Sequence, residues 1–176
     1  MIGIDKSRSF TPVKIAVLTV SDSRTLATDT SGQILQDRIE AAGHKLAGRH
    51  IIRDDKTIIH DHFKNWISDP AIDVIISTGG TGLTGRDVTV EAVTPLFEKV
   101  IDGFSVIFHL KSFETIGLST LQSRACAGLA NHTFMFCLPG SNGAVKDGWD
   151  KVIKDQLDSR HRPCNMVELM PRLSET

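Results

Sequence analysis

Short runs rich in β-branched and apolar residues alternate along this 176-residue chain with stretches of helical periodicity, and that alternation restricts the fold more than any single motif. A chain that returns through a helix after each strand builds a parallel sheet, covered by helices on both faces. "KIAVLTVSD" (14–22) reads as the first buried strand, after which Ser31 is placed to cap a helix through "GQILQDRIEAAG", stopped by Gly43. "KLAGRHIIRDD" (45–55) reads as the second strand, and "KTIIHDHFKNWISD" puts Ile58, Ile59, Phe63, Trp66 and Ile67 on one helical face. "DVIISTGG" (73–80) is the third strand, continuously apolar as a central parallel strand should be. "TVEAVTPLFEKV" reads as helix kinked at Pro95, and "DGFSVIFHLKSFETIG" as one helix or two short ones. "HTFMFCLPG" (132–140) is a fourth strand and "SNGAVKDGWDKVIKDQLDSR" (141–160) a closing helix, so the fold class is α/β.

At 40% hydrophobic residues the chain can build one sizeable core, so a single domain over 1–176 is expected, with short extensions at 1–13 and 161–176. Twenty basic against 21 acidic residues give a net charge of −1, with no basic run to track a phosphate backbone, which argues against a nucleic-acid partner. The three cysteines, Cys126, Cys137 and Cys164, are odd in number and form no C-x-x-C pair. That argues against a disulfide framework or a zinc site and fits a reducing cytoplasm, with Cys126 and Cys137 read as core residues. No segment approaches the roughly 20 continuous apolar residues of a membrane helix, and the N-terminus lacks the apolar centre of a signal peptide. The expectation is a soluble, unprocessed cytoplasmic protein.

In an open parallel sheet, ligands sit at the C-terminal ends of the strands where the strand order reverses. Four loops share that edge here: "SDSRTLATDTSG", "RDDKT", "TGGTGLTGRD" and "LPGSNG". The third carries four glycines in seven residues, Gly79, Gly80, Gly82 and Gly85. It and the fourth loop each precede a helix start, so free backbone N–H groups can converge on an anion. Gly80, Gly82 and Gly85 match the dinucleotide spacing, but that fingerprint follows a first strand and needs an acidic residue about 20 positions on, at the end of the next strand. A P-loop needs Lys and a hydroxyl residue where Arg86 and Asp87 stand. Asp87 would repel phosphate unless a divalent cation stood between them, so the loop reads as a phosphate nest with its own metal ligand. Tight turns needing positive φ are the plainer reading of the glycines.

Thr78, Gly79, Gly80, Thr81 and Gly82 are accordingly expected to cradle a phosphate, with Pro139, Gly140 and Ser141 as the second wall. Ser21 and Asp22 either line the same cleft or merely cap the end of the first strand. Arg124 either clamps phosphate or makes a structural ion pair. His60 and His62 lie two apart, point to different sides of their helix and do not share a metal.

"TGGTGLTGRDVTVEA", with "LTVSDSRT", "DTSG", "LQSRACAG" and "CLPGS", resembles the molybdenum cofactor biosynthesis protein B family and the related molybdopterin adenylyltransferases. The likeness runs from Lys14 to Asn165, and "SFETIGLSTLQSRA" points to the protein B branch. It implies a Rossmann-like three-layer α/β/α sandwich on a mostly parallel sheet, assembled as a homotrimer or a hexamer of two trimers. It also implies binding of molybdopterin and partnership with other proteins of that pathway. In adenylylating relatives, ATP and molybdopterin give adenylated molybdopterin and pyrophosphate with magnesium. The family's two functional aspartates fall at Asp54 and Asp87, and the magnesium role is assigned to Asp87. Asp55 stands beside Asp54 as an alternative, and an ordinary solvated acidic pair closing a strand is the plainer reading of both. Gly85 and Val90 occupy positions where adenylylating relatives carry proline, which keeps open a non-catalytic molybdopterin-binding or scaffold role.

Overall fold

The structure, a computed structural model, describes residues 2–175. A two-residue β1 (Gly3–Ile4) precedes β2 (Lys14–Val20), α1 (Thr30–Ala41), β3 (Lys45–Ile52), α2 (Lys56–Ile67) and β4 (Val74–Thr78). After α3 (Thr89–Val93) and a 3-10 turn at Thr94–Leu96 come β5 (Lys99–Val100), α4 (Asp102–Ile116) and a 3-10 segment at Gly117–Gln122. β6 (Cys126–Ala130) and β7 (Thr133–Leu138) form a hairpin, followed by α5 (Asn142–Gly148), a π-helical stretch at Trp149–Ile153, α6 (Lys154–Gln156) and β8 (His161–Arg162).

The main sheet has the order β3-β2-β4-β7-β6-β5; the first four strands are parallel, and β6 and β5 extend it antiparallel. The sequence reading missed β5 and β6. Rather than kinking a helix, Pro95 sits in the 3-10 turn that ends it, and the chain then turns into strand at Lys99. "CAGLA" carries small residues of low strand propensity, yet it is a strand because the Phe97 ring fills the space over Gly128, where a Cβ would lie 2.3 Å from Phe97 Cγ.

Alternation along the strands sends side chains to two cores. Ile15, Val17, Ile76 and Phe136 meet Leu35 and Ile39 of α1, Phe104 and Phe108 of α4, and Trp149. Ala16, Leu18, Ile75 and Met135 meet Ile59, Phe63 and Trp66 of α2 and Ala92 and Val93 of α3. Three α/β/α layers result. Two local expectations are corrected. Ile58 is 44% exposed and stands off the apolar face of α2. Asp29, not Ser31, caps α1: its carboxylate accepts the Gly32 N–H at 3.0 Å and pairs with Arg49 of β3 at 3.0 Å. Outside the main sheet, β1 pairs with β8 and fastens the two terminal extensions to each other.

From β2 the chain moves to β3 on one side, and from β4 to β7 on the other. The strand order therefore reverses between β2 and β4, and the crevice opens at their C-terminal ends.

Candidate functional site

The loop leaving β4 is shaped by close approach. Gly79 has φ +101°, and a Cβ there would lie 2.2 Å from the Val20 carbonyl oxygen at the end of β2. Gly80 has φ +64°, and its Cβ would meet Thr89 Oγ1 at 2.3 Å and Asp54 Oδ1 at 2.9 Å. Thr89 holds this double turn: its N–H donates to Gly80 O and its hydroxyl to Gly79 O, both at 2.9 Å.

The expected cradle at Thr78–Gly82 is divided by these bonds. The Thr78 hydroxyl donates to Pro139 O and the Gly79 N–H to Leu138 O, each at 3.0 Å, so these two groups join the ends of β4 and β7 instead of facing a ligand. The N–H groups of Gly80 and Thr81 have no partner among the described residues. The Thr81 hydroxyl is buried, also without a partner. Pro139, Gly140 and Ser141 form the facing wall; Gly140 lies so close that a Cβ would be 3.2 Å from Gly79 Cα, and Ser141 caps α5 by accepting the Ala144 N–H at 3.1 Å. Between these walls lies a cleft of 400 Å³, closed on its third side by Ser112 and Ile116 of α4 and by Ser123. All three lie in the "SFETIGLSTLQSRA" segment that carries the family likeness, but no site role was read for them, because only the packing of α4 brings them to the loop.

The carboxylates fall into distinct roles. Asp55 caps α2, accepting the Thr57 and Ile58 N–H groups at 2.9 Å. Asp54 is the member of the pair that adjoins the glycine loop. Asp87 Oδ2 accepts the Thr84 hydroxyl at 2.6 Å and the Thr84 N–H at 3.0 Å. The Thr84 hydroxyl, ahead of the Thr84 and Gly82 N–H groups, holds the Asp87 carboxyl below its ordinary range against a smaller opposing effect of burial.

Asp54 is shifted the other way. Burial, then the charge of Asp22, raises its carboxyl above the ordinary range; the Asp22 N–H and Arg86 oppose this, and Asp87 adds to it. A carboxyl whose folded pKa is raised weakens the fold at pH values above that folded pKa, and the penalty disappears as pH falls below the unfolded value. Asp54→Asn is therefore expected to raise the neutral-pH Tm by about 1–3 °C, with the gain vanishing in acid melts. Thermal melts across pH check this.

Arg86 reaches across the crevice to an ion pair with Asp22. Ser21 Oγ accepts the Ser23 and Arg24 N–H groups at 3.3 Å and so caps the loop after β2. Ser21 and Asp22 line a second, wider groove of 640 Å³ with Arg24, Arg49 and Arg53, not the glycine-loop cleft. Arg124 braces the loop from behind. Its Nε donates to Thr81 O and Gly82 O at 3.2 and 3.1 Å, its Nη2 to Asp87 O at 3.0 Å, and its guanidinium pairs with Glu91 of α3. Of its two sequence readings, the structural ion pair is the one this geometry supports.

Residues 16–159 match the family model described as a probable molybdopterin binding domain. Molybdenum cofactor biosynthesis protein B of Escherichia coli strain K12 is 45% identical over 159 residues, covering 90% of this chain and 94% of that protein. The chain belongs to the molybdenum cofactor biosynthesis protein B family. The Staphylococcus aureus protein of the same name is 46% identical over 149 residues, covering 83% of this chain and 88% of that one. A crystal structure of a molybdenum cofactor biosynthesis protein B superposes with a TM-score of 0.83 at 39% identity, covering 85% of this chain and 94% of that chain. In this protein B family member, Asp54 and Asp87 both adjoin the glycine loop, one from the end of β3 and one from within the loop itself.

Proposed function

We propose that this chain binds molybdopterin in the glycine-loop cleft and, in the cytoplasm, adenylylates it with ATP and magnesium. The observation that carries the reading is the unpartnered N–H pair of Gly80 and Thr81 beside the buried Thr81 hydroxyl, three donors gathered at a left-handed turn. Successive N–H groups in such a turn form a concavity suited to an anion such as a terminal phosphate. An oxygen of that phosphate would attack the α-phosphorus of ATP, forming the new P–O bond as the bond to pyrophosphate breaks.

The residues fit a divalent cation. Burial first, then the charge of Asp22 and last that of Asp87, raise the Asp54 carboxyl, and a cation would relieve the like-charge part of that shift. Asp87 and Asp54 would hold magnesium, which binds through one or two carboxylates plus water and phosphate oxygens. When bound it would supply neutralisation of the charge that develops on the transferred phosphorus. Incubating pure protein with molybdopterin, ATP and magnesium is expected to yield the adenylate and pyrophosphate; no adenylate would remove the catalytic half of the reading.

One observation favours binding without catalysis: the Asp87 carboxylate is already bonded within its own loop, to Thr84. On that reading molybdopterin binds to the same donors and ATP is left intact.

We also propose a homotrimer or a hexamer of two trimers. α4 buries Phe104, Phe108 and Ser112 but exposes Val106, Leu110 and Phe113 on its opposite face. Leu118 and Leu121 continue the exposed surface beyond it. A contiguous apolar face of this kind is the mark of a subunit contact. Light scattering at micromolar concentration is expected to show a trimer or hexamer, and Leu110→Asp with Phe113→Asp to give smaller species; a wild-type monomer overturns this.

A further inference from the structure

Cys126 of β6 stands directly opposite Cys137 of β7 in their antiparallel register. Opposed residues in such a pair have Cα atoms about 4.5–5.5 Å apart with side chains on one face. A disulfide spans Cα separations of about 4.4–6.8 Å, so the pair can be bridged without moving either strand far. Both thiols are free, Cys137 wholly buried and Cys126 partly open to solvent. The pair lies in the core beneath α3, and Arg124, which braces the glycine loop, is two residues before Cys126.

The two thiols are also unequal. The neighbouring Cys137 thiol, and with it the charge of Arg124, holds Cys126 below the ordinary thiol range against burial. Cys137 is raised well above that range by Cys126 and by burial. The more exposed sulfur is thus the more readily ionised one, and thiolate is the nucleophilic form.

We propose that Cys126 and Cys137 form a dithiol site that reacts with hydroperoxides. The Cys126 thiolate attacks the terminal peroxide oxygen, the O–O bond breaks, and the departing oxygen takes up a proton and leaves as water from hydrogen peroxide or as the alcohol from an organic hydroperoxide. Cys126 is then a sulfenic acid. The Cys137 sulfur attacks the Cys126 sulfur and gives up its proton, the S–S bond forms, the S–O bond breaks, and the hydroxide leaves with that proton as water. Two thiols lose two electrons in all, and the peroxide gains them.

The test uses the full chain carrying Cys164→Ser, so that the exposed third thiol does not interfere. Treatment with hydrogen peroxide is expected to remove both remaining thiols from alkylation and to yield a peptide pair joined through Cys126 and Cys137, restored by dithiothreitol. Adding Cys137→Ser should stop the reaction at a Cys126 sulfenic acid trapped by dimedone, whereas Cys126→Ser should leave Cys137 unmodified. Peptide mapping of the disulfide needs neither added variant, so a misfolded one does not blunt the result. Persistence of both alkylatable thiols under peroxide that oxidises Cys164 in the unsubstituted chain would overturn the proposal. In the unsubstituted chain, a disulfide from Cys164 to either residue in place of the Cys126–Cys137 bond would overturn it as well.

Discussion

Replacing Asp87 with Asn is expected to lower adenylate formation by about two orders of magnitude or more while leaving molybdopterin affinity within a few-fold. Asn retains an acceptor oxygen for the Thr84 hydroxyl and N–H, which now bond to the Asp87 carboxylate at 2.6 and 3.0 Å, so the loop keeps its shape. What is lost is the negative charge proposed to hold magnesium. A metal contact in phosphoryl transfer contributes several kcal/mol, and each ~1.4 kcal/mol is a factor of ten in rate. The pterin phosphate is assigned to the Gly80 and Thr81 donors, which this change does not touch. Thr84→Ala provides the complementary variant: it removes the hydroxyl that fixes the carboxylate and leaves the charge. Both proteins are assayed for pterin dissociation constant and adenylate yield. Full adenylate yield from Asp87→Asn would reject the magnesium role. An inactive wild type that binds molybdopterin, with tighter binding in Asp87→Asn, would select the non-catalytic reading instead.

The second large effect falls on folding. Gly79→Ala is expected to destabilise the protein by about 3–5 kcal/mol and lower Tm by on the order of 10 °C. At φ +101° an L side chain is strained whatever surrounds it, and the obstacle 2.2 Å away is the backbone carbonyl of Val20, which cannot rotate aside. Gly85, in the same loop, is the control. A Cβ there meets nothing within 4 Å, and its φ is not positive. Gly85→Ala should change stability by no more than about 0.5 kcal/mol, in either direction, because it restricts the unfolded chain without straining the folded one. Equal melting of Gly79→Ala and wild type would show that the loop relaxes around an added Cβ and is not held by the end of β2.

Those two glycines look alike in "TGGTGLTG", and only the approach of the Val20 carbonyl to Gly79 tells them apart. Apolar runs at 14–20, 74–78 and 133–138 announced strands buried on both faces, which tolerate few polar residues, while the edge strand at 45–52, carrying Lys45, Arg49 and His50, was legible from its alternation with the helical stretches around it. The ligand edge followed from their connection through helices, and the glycine-loop motif brought Asp87 to it. Local pattern was silent where a role depends on which distant group arrives. "CAGLA" is a strand because Phe97 packs on Gly128, although its own residues argue weakly for one. Asp54 and Asp55 are chemically identical neighbours; the start of α2 claims Asp55 as its cap, and Gly80 brings Asp54 to the loop. Asp29 displaces Ser31 as the cap of α1 because Arg49, on the next strand, pairs with it. Arg124 read equally as a phosphate clamp or an ion-pair partner until the carbonyls of Thr81, Gly82 and Asp87 took its donors. Hydrophobic periodicity is a property of neighbours in the chain, and so it is written in the sequence. The partner of a hydrogen-bonding or charged group is a property of strand order and register, which only the folded chain decides.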